Sequence, residues 1–376
     1  MRGFISVAAT AQRYEELNPE VRITWEKRSL QAFADASMEE LAAAYDLIVM
    51  DHPHTALCVE NGVLLPLDEY ISAEFLEEQA QNSVGASHRS YSHLGHQWTL
   101  ATDAATPIAT WRPDLMEKHG LSLPKTWEEV LELAKQGHVA VSLFPVDVLM
   151  HVYMFCDALG QPAFASKDCV APDSVLAQGL NCLKTLGELC GPQSYALNPI
   201  RIAEHMTQTD EAVYCPFAYG YSNYSRPRYG ASRLKAGGLV EFNGKPLRST
   251  LGGAGLAVSS KTNYPQVAAD YARFTAEPST QAGIYFEAGG QPGHRAAWLD
   301  ERVNAESWDF FRDTLDTLDQ AIVRPRYTGY MYFQDNASLV AHAYVTGEKT
   351  LKETLDSLNR IYRESLEFEV SKYETA

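Results

Sequence analysis

Residues 251–297 limit what this chain can fold into more than any other stretch: LGGAGLAVSSKTNYPQVAADYARFTAEPSTQAGIYFEAGGQPGHRAA. Gly252, Gly253 and Gly255 lead directly into a short apolar run, and a Ser-Lys turn follows it. A run this short and this apolar reads as a strand covered on both faces. Glycines ahead of it suit a bend and a close approach of neighbouring backbone. Val267, Ala268, Tyr271 and Phe274 then recur at helical spacing,. Glu277-Pro278 breaks that helix, a second one is predicted over 278–288, and Gly289-Gly290-Gln291-Pro292 closes the stretch as a loop,. A buried strand followed by two helices belongs to a mixed α/β fold.

The remaining elements agree. The chain has 376 residues, too many for one core and suited to two lobes. Asp46-Leu47-Ile48-Val49-Met50 is a second apolar run, of the kind found in buried parallel strands,. Residues 21–25 alternate as a strand does, and strands are also predicted over 98–103, 107–111, 139–143 and 211–217,. Helices are predicted over 6–17, 148–159 and 173–190. Thr126 with Glu129, and Thr350 with Glu353, have the spacing of capping boxes,.

Composition excludes some functions. Net charge is −17, from 31 basic and 48 acidic residues, which argues against a nucleic-acid binder. The six cysteines contain no CxxC pair, so zinc-ribbon and thioredoxin-type sites lack support. Most are expected to be buried thiols, with Cys182–Cys190 and Cys156–Cys169 open as pairs in an oxidising compartment. His88, His93 and His96 crowd one loop and read as solvated rather than metal-binding, so no metal is expected,. The chain holds no GxSxG elbow, no P-loop and no HExxH,. Its glycine cluster precedes a strand, whereas a dinucleotide fingerprint follows one. No catalytic residue and no cofactor are therefore assigned. Residues 1–10 lack the pattern of a secretory signal,, which leaves a trimmed exported form or a cytoplasmic protein.

Ligands of open α/β sheets sit beyond the carboxyl ends of strands. That rule selects Asp51, His52 and His54 after one strand and Asp103 after another. The competing reading of the first group is a tight turn with solvated histidines. Trp111 ends the strand over 107–111. Residues 218–229 (AYGYSNYSRPRY) combine aromatic faces, hydroxyls and an amide, which suits a polar organic ligand,. Tyr219, Tyr221, Asn223 and Tyr224 are the candidates there, while Arg226 and Arg228 could equally be surface. Arg324, Arg326 and Tyr327 again mix guanidinium and aromatic groups, which favours an acidic solute.

Several segments, in order, carry a resemblance. They are Asn18-Pro19 before Val21 and Ile23, Gly62-Val63-Leu64-Leu65-Pro66-Leu67-Asp68-Glu69-Tyr70, the Trp98-to-Asp103 strand, Pro124-Lys125-Thr126-Trp127-Glu128-Glu129, and the 289–295 loop. Together they resemble the solute-binding proteins of ABC importers, extracellular solute-binding protein family 1. The chain departs from that pattern at Ala101, where the family has proline, and in starting at the first helix, where the family has one strand more. The resemblance implies a two-lobed, periplasmic-binding-protein-like fold, each lobe a mainly parallel sheet flanked by helices. The first lobe would be 1–106 plus 252–310 and the second 107–251 plus 311–376, with the ligand cleft between them. It places Gly290 and Gln291 near the ligand. It implies a protein that closes on a small polar solute, carbohydrate-like or an organic acid, and delivers it to a membrane permease. A periplasmic monomer without cofactor is expected. A cytosolic sensor or an enzyme on the same scaffold is the alternative.

Overall fold

The computed structural model describes residues 2–27 and 38–373. Contacts divide the chain into two compact units, Met1–Ala105 with Gly252–Ala305, and Thr106–Leu251 with Glu306–Ala376. The chain therefore passes from one unit to the other three times.

In the first unit the strand Gly255–Val258 lies between Leu47–Met50 and Thr99–Ala101. All four of its residues are buried. Leu256 and Val258 face a core containing Ala11, Tyr14, Leu100 and Tyr271. Ala257 faces the opposite core, with Leu41, Ile48, Met50 and Cys58. This two-residue alternation explains why the run has no polar member. A side chain at Gly255 would meet Thr99 Cγ2 at 2.4 Å, so the central strand can sit this close only without a Cβ.

In the second unit Pro107–Trp111 lies between Tyr214–Tyr219 and Lys235–Gly237. The helix Pro145–Ala158 runs through the core, buried at nearly every position. Trp127, Phe217 and Phe242 pack beside it, around its Phe155; the Trp127 and Phe155 rings meet edge-on at 5.1 Å. The Thr126 capping box forms in full and starts the helix Trp127–Lys135. Thr350 and Glu353 exchange backbone hydrogen bonds of 2.9 and 3.3 Å at the start of the last helix, Leu351–Tyr373. All six cysteines are free. Among the described residues no helix is long and apolar enough to cross a membrane.

The two-lobed α/β class holds, but the pairing direction differs from the mainly parallel sheets expected. Both three-stranded sheets are antiparallel throughout. Among the described residues parallel pairing is confined to single bridges, such as Val139 with Tyr214 and Thr250 with Ile322. The cause lies in segments that read as strands but form no ladder. Val21, Ile23 and Trp25 do pack on the core as their alternation predicts. Their polar groups, however, go to helices: Ile23 N–H donates to Glu15 Oε1 at 2.7 Å, and Trp25 Nε1 donates to Tyr271 Oη at 3.2 Å. Residues 139–143 are likewise extended and buried, with Ala140 N–H donating to the Tyr214 carbonyl at 2.9 Å.

Candidate functional site: one polar sheet edge in each unit

Leu47–Met50 and Thr99–Ala101 both run against Gly255–Val258, so their carboxyl ends emerge at the same edge. That edge carries Asp51 and Asp103. The loop 289–293 is tied to it. Asp103 bridges to Pro292, Gln291 Nε2 donates to the Ala104 carbonyl at 2.9 Å, and Gly290 N–H donates to the Tyr285 carbonyl at 2.9 Å. A Cβ at Gly290 would lie 2.4 Å from the Tyr285 ring. Gly253 adopts φ +100°, and a Cβ there would lie 2.3 Å from the Asp103 carbonyl oxygen. Glycines thus let the backbone close around the aspartate. Burial, and then the charge of Asp51, raise the Asp103 carboxyl to about 7,. Tyr285 is pushed far up by burial and by Asp103. The edge therefore offers two carboxyl groups, that of Asp103 poised near neutrality, and an amide: acceptors and donors suited to hydroxyl groups.

The two histidines differ from the aspartates. His52 is buried, with its ring edge-on to Tyr91 at 6.3 Å. His54 is partly exposed and stands at the start of the helix Thr55–Glu60. Both lie in the single helical turn His52–His54 that directly follows Asp51.

In the second unit Tyr214–Tyr219 delivers Tyr219 at its carboxyl end. Tyr219 Oη lies 3.0 Å from Thr250 Oγ1, and Thr250 bridges to Ile322, which brings the 322–330 segment alongside. Arg324 is buried and donates through Nη1 to Gln334 Oε1 at 3.0 Å. Tyr153 and Tyr330, also buried, lie close enough for the Arg324 charge to favour their phenolates, though burial outweighs it and both remain phenols,. Tyr219 acts electrostatically on Tyr330. Tyr219 with Thr250, and Arg324 with Gln334, thus form two hydrogen-bonded pairs, and the buried hydroxyls of Tyr153 and Tyr330 interact with one another.

Other residues selected from the sequence go elsewhere. Trp111 pairs with Tyr214 and Lys235 at the end of the sheet away from Tyr219, about 13 Å along the strand, and packs on Gly237. Tyr224 is buried among Ile202, Met206 and Leu234, and its hydroxyl donates to the Ile200 carbonyl at 3.2 Å. Tyr221 packs on the edge of the same cluster. Asn223 is buried in the short turn Ser222–Ser225. Tyr327 directs its hydroxyl at Ser365 Oγ, 2.7 Å away, on the last helix. Arg326 is partly exposed. Tyr153 and Thr250 carried no site signal in the sequence: one lies in an apolar helix, the other in an ordinary polar pair.

Residues 2–143 match the model of a family described as bacterial extracellular solute-binding protein. Solved structures extend the likeness to nearly the whole chain. Maltose-bound MalE3 of T. maritima is 17% identical, covers 96% of this chain and 96% of its own, and superposes with a TM-score of 0.82. An ABC transporter solute-binding protein from Agrobacterium radiobacter K84, in complex with ribitol, is 18% identical over 96% and 95%, with a TM-score of 0.79. UgpB from Mycobacterium tuberculosis, in complex with glycerophosphocholine, is 16% identical over 97% and 95%, with a TM-score of 0.78. The chain is therefore similar in sequence, over residues 2–143, to the bacterial extracellular solute-binding proteins, and has, over nearly its full length, the bilobed fold of ABC-importer binding proteins.

Proposed function

We propose that this protein binds a small polar solute, carbohydrate-like or an organic acid, and presents it to an ABC-type permease. The observation that carries this reading is the pair of polar edges. Asp51, Asp103 and Gln291 line one, and Tyr219, Thr250 and Arg324 the other, each at the carboxyl end of a buried strand. A polyol or sugar needs acceptors for its hydroxyl protons, which the carboxyl groups of the first edge supply, and donors for its oxygens, which the hydroxyls and guanidinium of the second supply. The fold partners bind maltose, ribitol and glycerophosphocholine, which supports the same class of solute here. Closure around the solute follows the usual logic: the ligand shifts the equilibrium by the contacts it makes only in the closed state. Neither edge groups a nucleophile with a base, so the reading is binding without bond cleavage. The protein works outside the cytoplasmic membrane, which the description of the matching family as extracellular supports, and its expected monomeric state is part of the same proposal. Calorimetry with maltose, ribitol and sugar acids tests the reading. It expects saturable one-to-one binding of at least one, with the solute recovered unchanged. Conversion of the bound solute would transfer the protein to the enzyme class.

A further inference from the structure

One stretch of the second unit runs against the charge of the whole chain. Net charge is −17, yet no acidic residue stands between Glu211 and Glu241, and four basic ones do: Arg226, Arg228, Arg233 and Lys235. Two of the four are met inside the unit. Lys235 Nζ lies 2.8 Å from Asp313 and 3.8 Å from Asp309, and the Glu306 charge acts on Arg226. Arg228 and Arg233 are exposed and form no ion pair among the described residues. Both stand on one closed loop. Leu234 N–H donates to the Tyr224 carbonyl at 2.9 Å, Ser232 N–H to the Thr207 carbonyl at 3.0 Å, and Ser225 Oγ to the Leu234 carbonyl at 2.7 Å. Rings accompany the two guanidinium groups. Tyr229, beside Arg228, is 45% exposed and rests edge-on against Tyr224 at 5.3 Å. The Arg233 guanidinium lies 4.4 Å over the partly exposed Trp308 ring, and Lys235 Nζ donates to the Trp308 carbonyl at 2.7 Å. Three of the six described non-glycine residues with left-handed backbone gather here: Arg228, Trp308 and Asp309, at φ +66°, +55° and +59°. Strain of this kind persists where the surroundings hold it, and it collects at functional sites. The Arg233–Trp308 surface is also apart from the solute edge. Lys235 starts its strand opposite Trp111, whereas Tyr219 lies opposite Pro107 at the other end of that strand.

We propose that Arg228, Tyr229 and the Arg233–Trp308 pair form a docking surface for a short acidic segment of the permease. The inference rests on the delivery step of the solute-binding reading above and gives that step a surface. Arginine, tyrosine and tryptophan are the residues that carry most of the energy at protein interfaces. A guanidinium stacked on an indole keeps its N–H edge available for a carboxylate. Charge then selects the partner. An anionic lipid surface is broad, so it would meet the rest of a chain of net charge −17 as well as the two arginines. Screening over about 8 Å at physiological salt lets a short acidic segment feel the arginines alone. A second copy of this chain brings the same −17 with it.

The test measures binding of the full chain to its cognate permease in phosphatidylcholine nanodiscs, at low and at physiological salt. Arg228→Glu and Arg233→Glu, each checked for folding by circular dichroism, should weaken that binding about tenfold or more. Added salt should weaken binding of the native chain and leave that of the double variant unchanged. Lys245→Glu, an exposed reversal on the hairpin 241–246 of the same unit, should keep native permease affinity. Calorimetry with maltose and ribitol should give the same solute affinity in all of these chains. Native permease affinity in both arginine variants, or an equal loss in Lys245→Glu, overturns the surface while the solute-binding reading stands. So does a native dimer in sedimentation that Arg233→Glu dissolves, which would give the surface to a second copy. Binding to phosphatidylglycerol vesicles that the same variants lose would give it to lipid and likewise overturns it. Loss of solute affinity in the folded arginine variants would move the loop into the solute site. A native chain that binds solute but not the permease sinks the surface and the delivery step together; one that binds neither sinks the broader reading as well.

Discussion

Asp147 shows how a single residue can set the pH response of a lobe. Ser142 Oγ lies 2.7 Å from Asp147 Oδ2 and 2.8 Å from the Leu197 carbonyl. One hydroxyl proton serves one acceptor, so both contacts are complete only when Asp147 is itself protonated. Burial raises that carboxyl to about 7. The folded state then keeps a proton that the unfolded chain releases near pH 4, so stability falls as pH rises from about 4 to 7. His151, one turn on, is driven down to about 3 by burial, and its contribution is lost in the opposite direction, as pH falls below about 6.5. Comparing variants separates the two. Asp147→Asn should gain thermal stability relative to the native chain between pH 5 and pH 8, measured as the difference in Tm at each pH; a constant difference would remove the proton from the account. Gly253 makes a steric prediction. With φ +100° and the Asp103 carbonyl oxygen 2.3 Å from an added Cβ, Gly253→Ala should cost about 1–3 kcal/mol in urea unfolding and weaken solute binding by displacing Asp103.

Elements with their own local chemistry were legible in the sequence. The Thr126 box starts a helix because the threonine hydroxyl and the Glu129 carboxylate satisfy N–H groups that the helix cannot,. Thr126→Ala should therefore cost about 1 kcal/mol in chemical denaturation, without altering solute affinity. Strands were harder, because a strand is defined by partners far away in sequence. The pattern over 21–25 correctly marks which side chains face inward, yet Glu15 and Tyr271 take polar groups that a ladder would have used. Direction fails for the same reason: nothing local to residues 255–258 says that both neighbours run against it. The candidate sites divide similarly. Asp51 and Asp103 could be proposed because strand ends are local features, and Arg324 because a guanidinium among aromatics is conspicuous. Tyr224 and Trp111 have the same chemistry as ligand-binding aromatics and are spent on packing, which only the fold reveals. Tyr153 is the converse, a polar group concealed in an apolar helix.

At the scale of the molecule, two units with separate cores are joined by three passages of the chain. The stretch around Gly252–Val258 does two jobs: it supplies the central strand of the first unit, and its glycines fit the backbone against Asp103. Each unit ends its sheet in polar groups of different character, acidic in the first and donor-rich in the second. The proposal stands or falls on whether the polar edge of each unit takes part in solute binding. Calorimetric titration of the solute into the native chain, Asp103→Ala and Arg324→Gln tests it most directly, with folding of each variant checked by circular dichroism. The account predicts one-to-one binding to the native chain and at least about tenfold weaker binding to each folded variant. Native affinity in either folded variant would contradict it.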